Sequence, residues 1–147
     1  MRNTSLLIAT VVVAVLFSHP AYADELCRSL GVAASNGDIT EMSGLIASGA
    51  DVNCTYTASY VDSDTGKTET YTATPLNEAA YSARMKPVQL LLSHGANVNI
   101  RDSYGHTPLD EVDIALEDMI WGDASEQEFN EGEEVYRLLK NAGATHN

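Results

Sequence analysis

The segment Leu90-Leu91-Leu92-Ser93-His94-Gly95-Ala96-Asn97-Val98-Asn99 has two echoes in the same chain. Leu45-Ile46-Ala47-Ser48-Gly49-Ala50-Asp51-Val52-Asn53 precedes it, and Leu138-Leu139-Lys140-Asn141-Ala142-Gly143-Ala144 follows. Upstream of the middle copy stands Thr74-Pro75-Leu76-Asn77-Glu78-Ala79-Ala80, and Thr107-Pro108-Leu109-Asp110 repeats its start. Internal recurrence constrains the fold more than composition does. Each unit is too small to bury its own apolar face, so it must stack on a neighbour, and the stack offers an extended surface. Such a surface points to binding rather than to chemistry.

These segments resemble the ankyrin repeat, whose Thr-Pro-Leu-His-x-Ala signature belongs to a turn-plus-two-helix unit of about 33 residues. The resemblance implies an all-α solenoid of about three such repeats, near residues 26–53, 74–101 and 102–144. The first carries Ala33-Ala34-Ser35-Asn36-Gly37-Asp38, similar to the family's Ala-Ala-x-x-Gly-His segment. Gly37 suits a left-handed turn between helices, and Met42, Leu45 and Ile46 form an apolar stripe at helical spacing. The second is the best match. Thr74 is placed to N-cap and Pro75 fits the first helical position. It departs at Ala83, where the inter-helix Gly is usual, and at Pro87, which the first turn of a helix tolerates.

Two insertions enlarge the pattern. From Thr107 to Gly143 there are 15 more residues than from Thr74 to Gly95. Val112, Ala115, Leu116 and Met119 keep helical spacing, which extends the third repeat's first helix to about Trp121. Gly122-Asp123-Ala124 reads as a turn. Ser125 and Glu128 form a capping-box pattern for a closing helix buried through Phe129, Val135, Tyr136, Leu138 and Leu139, with Gly132 a weak point in its middle. The other insertion covers about residues 54–73. Thr55 to Val61 and Lys67 to Thr72 are rich in strand formers, with turn chemistry at Asp64-Thr65-Gly66. A β-hairpin finger projecting from the stack is expected there. Asp62, Asp64 and Gly66 do not continue into a calcium loop, since Ala73 stands where the terminal Glu is required.

The N-terminus reads as a secretory signal peptide over residues 1–23: Arg2, an apolar run from Leu6 to Phe17, and Ala21-Tyr22-Ala23 as a small-x-small site. Cleavage between Ala23 and Asp24 is expected. It leaves residues 24–147 as the repeat domain, in the periplasm or outside the cell, with no membrane insertion afterwards. The apolar run of 12 residues is too short to span a bilayer. Asn53-Cys54-Thr55 is a formal glycosylation pattern should the host be eukaryotic.

The whole chain carries a formal charge of −13, and loss of Arg2 takes it to −14. That disfavours nucleic acid and anionic lipid, and favours a neutral or basic protein partner. Between Asp102 and Tyr136 there is no Lys or Arg among many acids. This stretch is either a solvated face or an electrostatic footprint for a basic partner.

The resemblance further implies that partners contact the finger tips and first-helix faces: Ser35, Asn36, Tyr81, Ser82, Ser103, Tyr104 and His106. The long finger adds Tyr56, Tyr60 and Tyr71, which either meet a partner or pack across the hairpin. In an ankyrin unit both ends of a helix pair return to one side. Cys27 just before the first pair and Cys54 just after it are therefore expected to bridge in an oxidising compartment, the alternative being two buried thiols. No phosphate loop, dinucleotide fingerprint, metal motif or nucleophile constellation is present in the sequence, so no catalytic residue, metal or cofactor is assigned. A dedicated inhibitor or immunity-type protein, its acidic third repeat covering a basic site, is a second reading. A hydrolase hidden in that repeat is a remote one, marked by a pocket lined by His106 or by desolvated carboxylates.

Overall fold

A computed structural model describes residues 20–147. The apolar run at 6–17 lies outside the described residues. Three helix pairs stack in sequence. The first is α1 (Pro20–Asn36) with α2 (Ile39–Ala47), the second α3 (Pro75–Tyr81) with α4 (Met85–Ser93), and the third α5 (Pro108–Trp121) with α6 (Glu126–Asn141). The first helices α1, α3 and α5 pack into one layer, and α2, α4 and α6 into another. Between the first and second pairs, β1 (Tyr56–Val61) and β2 (Thr68–Ala73) form an antiparallel two-stranded sheet.

The core is one continuous cluster along the stack. Leu30, Ala33, Ala34 and Met42 from the first pair meet Leu76, Ala80, Val88 and Leu91 from the second, then Leu109, Val112, Val135 and Leu139 from the third. The small Ala33, Ala34, Ala79 and Ala80 let neighbouring helices approach closely. Met42 is buried, whereas Leu45 and Ile46 are only half-buried, because α2 has one neighbour in its layer.

Local chemistry fixes the helix starts. Thr74 Oγ1 accepts from Asn77 N, and Asn77 Oδ1 accepts from Thr74 N, a reciprocal capping box. Thr107 with Asp110, and Ser125 with Glu128, repeat it. Helix α4 has no side-chain cap from its own N-cap residue, Arg84. Instead Met85 N donates to Glu131 Oε1 of α6 at 3.2 Å, so the third pair caps the second. Pro87 sits in the first turn of α4, where its missing N–H costs nothing.

The turns between helices need left-handed backbone. Gly37 supplies it at φ 79°, while Ala83, the residue in the place of the usual Gly, adopts φ 49° and carries the strain of a Cβ there. Gly132 in α6 is buried, and a Cβ on it would press on Leu116 Cδ2 at 2.8 Å and Ala83 Cβ at 3.5 Å. Its place mid-helix is a close approach between α6, α5 and the α3–α4 turn.

A side-chain ladder ties the loops that follow each pair. Asn53 Nδ2 donates to Gly95 O and Asn53 Oδ1 accepts from Asn97 N. Asn99 does the same one unit later, with Gly143 O and Thr145 N.

Two expectations need correction. Helix α1 begins at Pro20, so Cys27 lies within the helix and not ahead of it. The expected cleavage between Ala23 and Asp24 therefore falls in the first turn of α1. The hairpin does not project freely either: Tyr56, at 8% exposure, seats β1 on α1, and Ser103 ties β2 to the next finger.

Candidate functional site

The hairpin register places Tyr56 opposite Ala73, Ala58 opposite Tyr71, and Tyr60 opposite Glu69. Because side chains alternate, Tyr56, Tyr60 and Tyr71 share the face that looks onto the first-helix layer. Tyr60 and Tyr71 are diagonal neighbours with ring centroids 6.2 Å apart. Tyr71 in turn stacks on Tyr104 of the next finger, again at 6.2 Å. Ser103 holds that finger in place: its N–H donates to Thr72 O at 2.9 Å and its Oγ accepts from Thr72 N at 3.0 Å.

The hairpin, this finger, α3 and α5 together enclose an open cavity of about 410 Å³. Tyr60, Tyr71, Tyr81 and Tyr104 supply aromatic walls, with Ala73 and Ile114. Glu78, Asn77, Asp102, His106 and Glu111 supply polar groups. Tyr60, Tyr81 and Tyr104 are 46%, 49% and 54% exposed around its mouth. A smaller cavity of about 300 Å³ on the other side of Tyr71 is lined by Arg28, Ser35 and Asn36, among others.

The polar groups form two linked sets. Tyr71 Oη donates to Glu78 Oε1 at 2.8 Å. Burial, then this hydrogen bond to a carboxylate, pushes the Tyr71 phenol up, and burial with the nearby Glu78 does the same to Tyr56. The second set lies in the finger. Asp102 Oδ1 accepts from Tyr104 N at 2.9 Å and from His106 N at 2.8 Å, shaping the turn. His106 Nδ1 lies 3.1 Å from Glu111 Oε1. Glu111 is a buried carboxyl on the inner face of α5. Desolvation, then the neighbouring Asp102, raises it to about 7, partly offset by His106. The Tyr104 phenol is raised to about 12, chiefly by its hydrogen bond with Tyr60.

Asp102, His106 and Glu111 bring one ligand atom each within 4.8 Å of one another, a grouping able to hold a metal ion. No sequence motif announced it, because Asp102 and His106 come from a turn and Glu111 from the helix that follows.

Among the residues named from the sequence, Tyr60, Tyr71, Tyr81, Tyr104 and His106 come together on one cavity. Ser35 and Ser82 meet each other instead, Oγ to Oγ at 3.1 Å between the first and second pairs. Asn36 is exposed beside the smaller cavity. Ser103 is spent on the hairpin and Tyr56 on α1, so neither presents a free side chain. Sequence reasoning missed Asn77, Glu78, Asp102, Glu111 and Ile114. A local signal existed for Glu111 alone: it faces inward, one turn after Thr107, beside buried Leu109 and Val112.

Cys27 and Cys54 are disulfide-bonded, with Cα atoms 6.0 Å apart. No helix among the described residues is long and apolar enough to cross a membrane. Among the described residues, no buried side-chain polar atom lacks a hydrogen-bond partner.

No curated protein matches the chain. The family model described as ankyrin repeat matches residues 73–103, which run from the end of β2 through α3, α4 and the start of the next finger. Ankyrin repeats generally mediate protein–protein interaction without catalysis. That match, with six described helices and a small antiparallel sheet, supports the ankyrin repeat family and an ankyrin-like helical repeat fold.

Proposed function

We propose that this protein is a non-catalytic, exported binding module of three ankyrin-like repeats, docking a protein partner on the face made by the hairpin, the finger at 102–106 and the first-helix layer. The observation that carries this reading is the exposure of Tyr60, Tyr81 and Tyr104 around one concavity on a rigid stack. Half-exposed tyrosines offer large rigid area at low entropic cost, and concave aromatic surfaces are where binding energy concentrates. Export is supported by the N-terminal sequence and by the disulfide, a bond that persists in oxidising compartments. Cleavage after Ala23 would leave Asp24 and Glu25 in the first turn of α1, where acids complement the helix dipole.

The test is a crosslinked pull-down from native envelope extract. The bait is the mature protein, beside a variant with Tyr60, Tyr81 and Tyr104 changed to Ser. A partner captured by the first and lost by the folded variant supports the reading. Equal capture by both removes that face from it.

An inhibitor or immunity-type role is the sharper form of this reading, with α5 and α6 meeting a basic site. Arg137 already pairs with Glu133 and Glu134 at 3.0 and 2.7 Å, but Glu117, Asp118, Asp123 and Glu126 are exposed on the same pair. It requires one stoichiometric partner whose association slows as salt rises. For the hydrolase reading, His106 and Glu111 do line a cavity, but Ser, Thr and Cys are missing from its lining among the described residues. Loss of a hydrolytic activity in Glu111→Gln would be needed to revive it.

A further inference from the structure

We propose that the cavity beneath the hairpin receives the guanidinium group of an arginine side chain presented by the protein partner. This rests on the binding-module reading and names what that face grips.

Charge is the first argument. Glu78, Asp102 and Glu111 converge on the cavity, and among the described residues no Lys or Arg lines it. Glu78 faces the phenols of Tyr71 and Tyr56, Asp102 accepts from two backbone N–H groups with the His106 imidazole 4.0 Å from its Oδ2, and Glu111 faces that same imidazole and Asp102. Carboxylates withdrawn from water without a full counter-charge are costly, which is why Glu111 beside Asp102 keeps its proton longer than an ordinary glutamate, and an incoming cation supplies the missing charge.

The walls are the second argument. Tyr60, Tyr71, Tyr81 and Tyr104 surround the same space, and the faces of such rings attract cations. Together the two features choose among cations. A guanidinium is planar and stays charged. It can lie against an aromatic face while its in-plane N–H groups reach carboxylates. An ammonium is a more strongly hydrated point charge and has no plane to stack, so lysine fits less well.

Access is the third. Three of the four rings are about half exposed at the mouth, so a side chain can enter without displacing the hairpin. The chain's net charge of −13 would steer a basic partner toward it.

The experiment titrates the purified protein, in chelator, with three capped tripeptides, Gly-Arg-Gly, Gly-Lys-Gly and Gly-citrulline-Gly, following backbone amide shifts. Citrulline keeps the shape of arginine and removes its charge. The arginine peptide is expected to shift Tyr104, His106 and Glu111 saturably, with affinity in the millimolar range and roughly tenfold above citrulline. Glu111→Gln and Tyr104→Leu should each weaken it about fivefold or more. Glu111→Gln preserves shape, and Tyr104 is exposed, so at least one variant should keep the fold, checked by circular dichroism.

Equal response to arginine and citrulline overturns the proposal, as does binding that survives both substitutions. A pull-down partner that needs the tyrosines, together with no arginine response, leaves the binding module standing and removes the guanidinium. An arginine response with no such partner leaves a guanidinium site but overturns its assignment to a protein partner.

Discussion

The ring of Tyr56 occupies the space that a Cβ on Gly31 would fill. This single close approach seats the hairpin on α1. Gly31→Ala must drive the ring out or separate strand from helix. Overpacking of that kind costs about 1–3 kcal/mol. Thermal unfolding should shift down accordingly, and amide exchange in β1 should quicken. Unchanged exchange in β1 would show that the hairpin is held by its contacts with α3 and the next finger, through Tyr71 and Ser103, rather than by its seat on α1.

Reduction should loosen the first helix pair before the others. The Cys27–Cys54 bridge closes a sequence separation of 27 residues. In the chain-entropy model a loop of that length contributes roughly 3 kcal/mol. Cys54→Ser should lower the unfolding midpoint to match, with exchange protection lost first in α1 and α2. A variant as stable as the parent would mean that packing alone holds α1 in place.

Glu111 predicts an unusual pH dependence. Its folded value, about 7, lies above the ordinary glutamate value of 4.5. Between those limits the folded state keeps a proton that the unfolded state has released. Its contribution is therefore fully present below about 4.5 and is lost as pH rises through about 7. The groups bearing on it are Asp102 and His106, with Tyr71 and Tyr81 across the cavity. Glu111→Gln should be more stable than the parent at pH 8, by about 1–2 kcal/mol once solvent screening is allowed for, and the gap should close toward pH 5. Denaturant titrations of both proteins at several pH values check this. A pH-independent difference would overturn it.

Asn99 is the last rung of the loop ladder. Removing its side chain frees Gly143 O, Thr145 N and Thr145 Oγ1. All three can turn to water, so Asn99→Ala should cost only about 1–2 kcal/mol. The effect should show as faster exchange at Thr145 and in the end of α6, with α1 untouched.

The sequence reading succeeded where the signal was local. The N-cap at Thr74, the capping box at Ser125, the end of α5 at Trp121 and the turn at Asp64-Thr65-Gly66 depend on residues a few positions apart. It failed where the partner was distant. Tyr60 and Tyr104 are 44 residues apart, and their meeting depends on how far the hairpin leans over the stack. Nothing in residues 54–73 shows that Tyr56 faces a glycine on α1. Repeat spacing points to a start near Leu26, while Pro20 to Glu25 contain nothing that stops α1 beginning earlier. Ala83 departs from the repeat pattern in sequence, and only the structure shows that the backbone keeps the left-handed turn at φ 49° regardless.

Stacked repeats that touch only their neighbours flex like a spring and can peel from either end. The hairpin changes that mechanics. It bears on α1 through Tyr56, runs through Thr74 directly into α3, and is hydrogen-bonded to the finger before α5 through Ser103. It acts as a strut across all three helix pairs, so that bending at one joint meets resistance from contacts made at the other two.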